Sequence, residues 1–222
     1  MELGRRDLLL SAASLVVGSS AAARAVPDRP LGYAIVGLGS YGLGVIIPQF
    51  ANCSHSRLAA VVSGDPAKAQ RVAAEHGLPA RSVYSYATFD QIRDNPDVDI
   101  VYVCLPNSMH AEYTVRAARA GKHVMCEKPM AVSVAECETM IAACKSAGRK
   151  LMIGYRIHFE PTNLEAVRLA RTGAAGKIRY VRSEHGFVQR DPSVWRLKRA
   201  LAGGGSLMDL SLIHISEPTR PY

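Results

Sequence analysis

Apolar residues fall into short continuous blocks, each closed by a glycine- or proline-marked turn and followed by helical periodicity. The first block, Leu31–Val36, predicts a strand, and Leu43–Phe50 predicts the helix after it. Arg57–Val62 repeats the pattern, with a helix over Pro66–His76; Asp65 stands at the cap position and Pro66 at the first helical position. A short segment, Ser82–Tyr86, precedes a helix-like stretch from Thr88. Asp99–Leu105 is continuously apolar, as in a strand buried on both faces. A helix to Ala120, a strand over Lys122–Cys126, a helix over Ser133–Ala147 and a strand at Leu151–Ile153 follow. Ser133 and Glu136 have the spacing of a capping box. Strands alternating with helices through short turns predict an α/β fold, a doubly wound parallel sheet.

Beyond Ile153 the rhythm changes. Pro161–Arg171 predicts a helix, Lys177–Val188 a strand, and Arg190–Arg199 a loop before Gly203-Gly204-Gly205. The pattern divides the chain into a unit over 31–154 and the start of a second, incomplete α/β unit over 155–209. The ends read differently. Arg5 and Arg6 precede an apolar stretch from Leu8 to Val17 and small residues ending Ala23-Arg24-Ala25, the layout of a twin-arginine export signal over 1–25. The apolar stretch is too short for a stable membrane anchor. The expected location is the periplasm, with the twin-arginine export machinery as a partner. From about Leu210 to Tyr222 the chain resembles a translated sequencing adapter. The expectation is that 210–222 is non-native, that the protein's own sequence is cut near Asp209, and that His214 has no catalytic part.

Composition narrows the class. The 222 residues are 48% hydrophobic and 21% charged, which excludes a disordered or fibrous chain. The net charge of +8 is diffuse, which suits a phosphorylated cofactor and gives no nucleic-acid signature. The five cysteines, Cys53, Cys104, Cys126, Cys137 and Cys144, lack metal-site spacing and are expected as buried free thiols; no metal is expected.

The chemistry concentrates at strand ends, where ligands of such sheets bind. Gly37-Leu38-Gly39-Ser40-Tyr41-Gly42 lies between strand and helix, the setting in which G-x-G-x-x-G holds a dinucleotide pyrophosphate. The tip of the second strand reads the adenosine ribose. Ser63 and Lys68 there suit a 2′-phosphate, whereas Asp65 suits a free 2′-hydroxyl; the reading favours NADP(H) over NAD(H). Tyr86 either lines the adenosine side or packs in the core. Leu105, Pro106, Asn107 and His110 close one strand and Glu127, Lys128 and Pro129 the next.

Together with Gly154-Tyr155-Arg156, Trp195-Arg196-Leu197 and Gly203–Asp209, these motifs make the chain resemble the glucose–fructose oxidoreductase branch of the Gfo/Idh/MocA oxidoreductases. The resemblance covers about Leu31 to Asp209. It implies a Rossmann domain, then a domain with a large, mostly antiparallel sheet, and a homo-oligomer for the full-length parent. It also implies hydride transfer between a nicotinamide and a sugar or polyol. Lys128 is then the lysine beside the reacting hydroxyl, sharing in proton removal and steadying the alkoxide. Glu127 orients the cofactor or Lys128. Asn107 and His110 are expected near the nicotinamide ribose, and Arg156, Trp195 and Arg196 against the cofactor. Asp209 matches the aspartate of the family's D-x-G-x-[HY] segment, but Ser211 and Ile213 stand where glycine and His or Tyr belong. The resemblance therefore implies an inactive fragment of an active parent. Other readings remain: a glycoside-cleaving or epimerising enzyme on NAD, or a non-catalytic nucleotide-sensing protein.

Overall fold

A computed structural model describes residues 29–180, 182, 186, 188–205 and 208–209. The export-signal and tail expectations, with Ser211, Ile213 and His214, lie outside the described residues.

Six strands form one parallel sheet: β1 (Leu31–Val36), β2 (Ser56–Val62), β3 (Val83–Tyr84), β4 (Ile100–Val103), β5 (His123–Cys126) and β6 (Leu151–Ile153). Their order is β3-β2-β1-β4-β5-β6, so the chain reverses direction across the sheet between β1 and β4. Such a reversal opens a crevice at the carboxyl ends of the strands.

Alternation along each strand separates two cores. Ala34, Val36, Ala60, Val62, Val101, Val103, Val124 and Cys126 face one side. There they meet α3 (His110–Arg119) and α4 (Val134–Ser146) through residues such as Tyr113, Ala117 and Met140. Ile35, Val61 and Tyr102 face the other side. That side is covered by α1 (Ile47–Gln49) and α2 (Pro66–Glu75), through Ile47, Ala69, Val72 and Ala73. The expected caps form: the Asp65 carboxylate accepts from Lys68 N at 3.0 Å, and Ser133 Oγ from Glu136 N at 3.2 Å. Glu136 in turn accepts from the Val132 amide, one residue before the expected partner.

The structure corrects several boundaries. The helix after β1 is a π turn (Gly42–Ile46), the short α1 and a 3-10 turn (Phe50–Asn52), not one regular helix. The stretch after Thr88 is a 3-10 helix, Phe89–Asp94, whose Phe89 and Ile92 are fully buried. Two plugs so close in sequence suit a tight turn. The expected strand over Lys177–Val188 has no strand among its described residues: Ile178, Tyr180 and Val188 are exposed, with no neighbouring strand to pair with. The expected Arg190–Arg199 loop contains a 3-10 turn, Trp195–Leu197, and leads into α6 (Arg199–Ala202). The exposed helix α5 (Pro161–Arg171) forms as expected. Cys126 and Cys144 are buried and Cys104 and Cys137 half-buried, but Cys53 is exposed, because it lies in the turn before β2. Burial pushes the Cys126 thiol up to about 12. Among the described residues, no helix is long and apolar enough to cross a membrane.

Two stability predictions follow from the packing. Phe89→Ala should cost about 3–5 kcal/mol in urea unfolding, because its ring is fully enclosed. At the amino-terminal side of the sheet, Arg81 and Arg57 hold the Asp97 carboxyl below its ordinary range. A depressed folded-state value gives stability that is present at neutral pH and lost as pH falls through that value. Unfolding measured from pH 7 down to pH 3 should therefore show a shallower acid-side decline in Asp97→Asn.

Candidate active site

The crevice begins at the glycine loop. Gly37 has φ +98°, and a Cβ there would lie 2.5 Å from Cys104 O; a Cβ at Gly42 would lie 2.5 Å from Gly37 O. These two positions close the turn and bring helix against strand. Gly39 differs: a Cβ there would meet nothing within 4 Å. Its bare, exposed backbone and the exposed Ser40 stand at the start of a helical turn, whose leading amides have no intrahelical acceptor. That is a cradle for an anion, and it fits a dinucleotide pyrophosphate. Leu38 is turned inward, packed with Ile35, Ile47 and Val61, so only its backbone is offered to a ligand.

At the tip of β2, Ser63 is buried, and its hydroxyl accepts from Asp65 N at 3.1 Å. The Asp65 carboxylate caps α2, with Lys68 Nζ 3.9 Å away and partly exposed. The Tyr86 ring lies over Gly64, where a Cβ would come within 2.9 Å of it, and meets Tyr113 edge-on. Tyr86 is thus a half-buried ring that packs on the core beside the β2 tip.

The turns after β4 and β5 meet. His110 is fully buried; its Nδ1 lies 2.8 Å from Pro129 O and its Nε2 2.9 Å from Leu105 O. Asn107 is likewise buried and donates to Ala202 O at 2.9 Å. Both side chains are thus held within the protein at the β4 tip. Leu105 packs in the core, and half-buried Pro106 opens the 3-10 turn Asn107–Met109.

Glu127 follows β5. Its Oε1 accepts from the Tyr102 hydroxyl and its Oε2 from Lys128 N at 3.2 Å. Burial, then the Glu127 charge, pushes the Tyr102 phenol upward, so it remains a donor. Tyr41, half-buried on the glycine loop, feels the same carboxylate after its own burial, and the exposed Arg156 acts on Tyr41 in the opposite sense.

Lys128 Nζ donates to Asp209 O at 2.6 Å and to Asp209 Oδ1 at 3.1 Å. Arg196 Nε lies 3.4 Å from Asp209 Oδ2, and the guanidinium covers the Trp195 ring at 4.4 Å. One carboxylate is therefore shared by two cations. Gly203 ends α6 at φ +73°, where a Cβ would strike Val132 Cγ1 at 2.4 Å. That contact and the Asn107 bond dock α6 and Gly203 beside the β4 and β5 tips.

The arrangement brings together the glycine loop, Tyr41, Glu127, Lys128, Arg196 and Asp209. Sequence reasoning missed Tyr102. A tyrosine in an otherwise aliphatic buried strand needs a partner for its hydroxyl, and the acid ending the next strand was available. Among the described residues, no group of three or more His, Cys, Asp or Glu could hold a metal ion.

This fold and loop define an NAD-binding Rossmann oxidoreductase, and residues 31–155 match the oxidoreductase family described in those terms, Gfo/Idh/MocA. The chain belongs to that family, on its glucose–fructose oxidoreductase-like branch. It is 64% identical, with TM-score 0.80, to an aldose–aldose oxidoreductase from Caulobacter crescentus complexed with glycerol, covering 82% of this chain and 54% of that one. It is 31% identical over 192 residues to the NADP(+) D-xylose 1-dehydrogenase of Haloarcula marismortui, covering 83% of this chain and 52% of that protein. A 3-ketoreductase from Actinomadura kijaniata, solved with TDP-benzene and NADP, is 27% identical with TM-score 0.61, over 68% of this chain and 46% of that one. The chain spans about half the length of these relatives.

The two glycines should respond oppositely to a methyl group. Gly42→Ala should lower the thermal midpoint, because its Cβ meets a carbonyl. Gly39→Ala should leave the midpoint unchanged yet weaken dinucleotide binding in calorimetry, because its Cβ enters only the open cradle.

Proposed function

We propose that this chain is the cofactor-holding part of an NADP-dependent oxidoreductase that moves a hydride between the nicotinamide and a sugar or polyol carbon. The observation that carries the reading is the placement of Lys128: a partly buried ammonium at the β5 tip, beside the glycine-loop crevice and tied to Asp209. The relatives supply the substrate class, since one is named for aldoses and another for D-xylose.

Gly37, Gly39 and Gly42 shape the pyrophosphate cradle, and Tyr86 walls the adenosine side. Lys68 supplies the charge for a 2′-phosphate, while the Asp65 carboxylate is occupied as a helix cap. When bound, the nicotinamide takes or gives the hydride. Lys128 Nζ would steady the negative charge that develops on the reacting alcohol oxygen and would share in taking the O–H proton. Asp209 holds Lys128 through both a carbonyl and a carboxylate oxygen, and Arg196 shares that carboxylate. Ile213, at the family's His or Tyr position, offers no proton-transfer group. We therefore assign this chain cofactor binding without sugar turnover. For the family's sugar or polyol oxidoreduction we propose a homo-oligomer in the periplasm after twin-arginine export.

Calorimetric titration should show NADP(H) binding at least about tenfold tighter than NAD(H), the worth of one charge-assisted contact. Lys68→Ala should remove most of that preference. Equal affinities in the unmodified chain would sink the NADP assignment, and robust sugar oxidation by it would sink the inactivity assignment. For export, Arg5→Lys combined with Arg6→Lys should leave precursor in the cytoplasm on fractionation; normal periplasmic yield would count against that signal.

A further inference from the structure

The Glu127–Lys128–Pro129 turn is gripped on two sides by groups assigned no part in binding or chemistry. On one side, the Tyr102 hydroxyl donates to Glu127 Oε1, and Glu127 Oε2 takes the Lys128 amide. The carboxylate fits there because Gly154 is bare: a Cβ at that position would lie 2.8 Å from Oε1. Glu127 N is also tied to Val103 O at 3.0 Å. On the other side, His110 joins Pro129 O to Leu105 O through its two ring nitrogens.

We propose that Tyr102 and His110 are paired positioning residues that fix the Lys128 backbone from both flanks and thereby set where its ammonium stands. The proposal rests on the reading of Lys128 given above. A lysine side chain has several rotatable bonds, so its head group is placed only if its root is fixed and its end is held. Asp209 holds the end. Tyr102 acts on the root through Glu127, one residue before Lys128, and His110 through Pro129, one residue after it. Neither needs to touch cofactor or substrate.

The two anchors also differ in kind. Tyr102 comes from β4 on the sheet face that α1 and α2 cover, and His110 opens α3 on the opposite face. The turn is thus tied to both layers of the fold. His110 has only carbonyl oxygens opposite its nitrogens. Those carbonyls favour a doubly protonated ring, and burial, the larger influence, opposes it. One N–H bond to Pro129 O suffices for the positioning role.

The test is reductive methylation of the 222-residue chain, with each lysine's rate read by mass spectrometry. Tyr102→Phe removes a single oxygen, so it should fold. Lys128 should then label several-fold faster, while Lys68 and Lys145 keep their rates and NADPH affinity stays within about twofold. His110→Ala should act likewise, and His110→Gln, which restores one amide donor, should move the Lys128 rate back toward the original. If His110→Ala does not fold, Tyr102→Phe still decides the matter. An unchanged Lys128 rate in folded Tyr102→Phe would overturn the proposal. So would equal acceleration at all lysines, which indicates general loosening. Failure of the unmodified chain to bind NADPH would instead overturn the proposed function, and the labelling rates would remain readable without it.

Discussion

The hydrogen-bonded pairing of the central strand β1 with β4 sets the rest of the sheet, and glycine lets the segments flanking β4 pass against both ends of β1. A Cβ at Gly32 would fall 1.8 Å from Asp97 O, and one at Gly37 would fall 2.5 Å from Cys104 O. No side chain fits either gap, so backbone packs on backbone at the point where the sheet reverses. The crevice lies at that reversal. Once β1 and β4 lie side by side, the glycine loop after β1 and the turn after β4 must diverge, one toward each face of the sheet. β5 pairs in register beside β4, Val103 opposite Cys126, which delivers Glu127 and Lys128 to the same edge.

Around that edge, polar groups are buried in an ordered way. Tyr102, Asn107 and His110 each find a partner and leave little free to titrate or to bind. The charged groups that keep some exposure there are Lys68 at the β2 tip, and Lys128 with Asp209 and Arg196 at the β5 tip. The inward polar groups hold geometry.

Much of this was legible in the chain. Strand–helix alternation from Leu31 to Ile153 is a period signal, and the structure follows it nearly element by element. Asp65 and Ser133 announced their helices, because a cap depends only on residues within one turn. What could not be read was direction. His110 sits at a strand tip beside the right motif, yet it points inward, and nothing local distinguishes the two orientations. The bond from Asn107 to Ala202 spans 95 positions, beyond the reach of any local pattern. The expectation of a strand over Lys177–Val188 finds no strand among the described residues of that segment: a strand needs a neighbour as well as β-forming residues, and the neighbour lies outside its own sequence. Tyr102 was legible in principle, since a hydroxyl among aliphatic residues signals an unstated partner.

The long reach of the docked segment also bears on when the crevice comes into being during synthesis. The β–α units from β1 to β6 join elements close in sequence, so each can assemble as it leaves the ribosome. The ties from Asn107 to Ala202 and from Lys128 to Asp209 close spans of 95 and 81 residues, and both wait for the last part of the segment to be made. Until then the Lys128 ammonium has no carboxylate beside it. The nascent chain can therefore build the glycine-loop crevice before Lys128 is tied to Asp209.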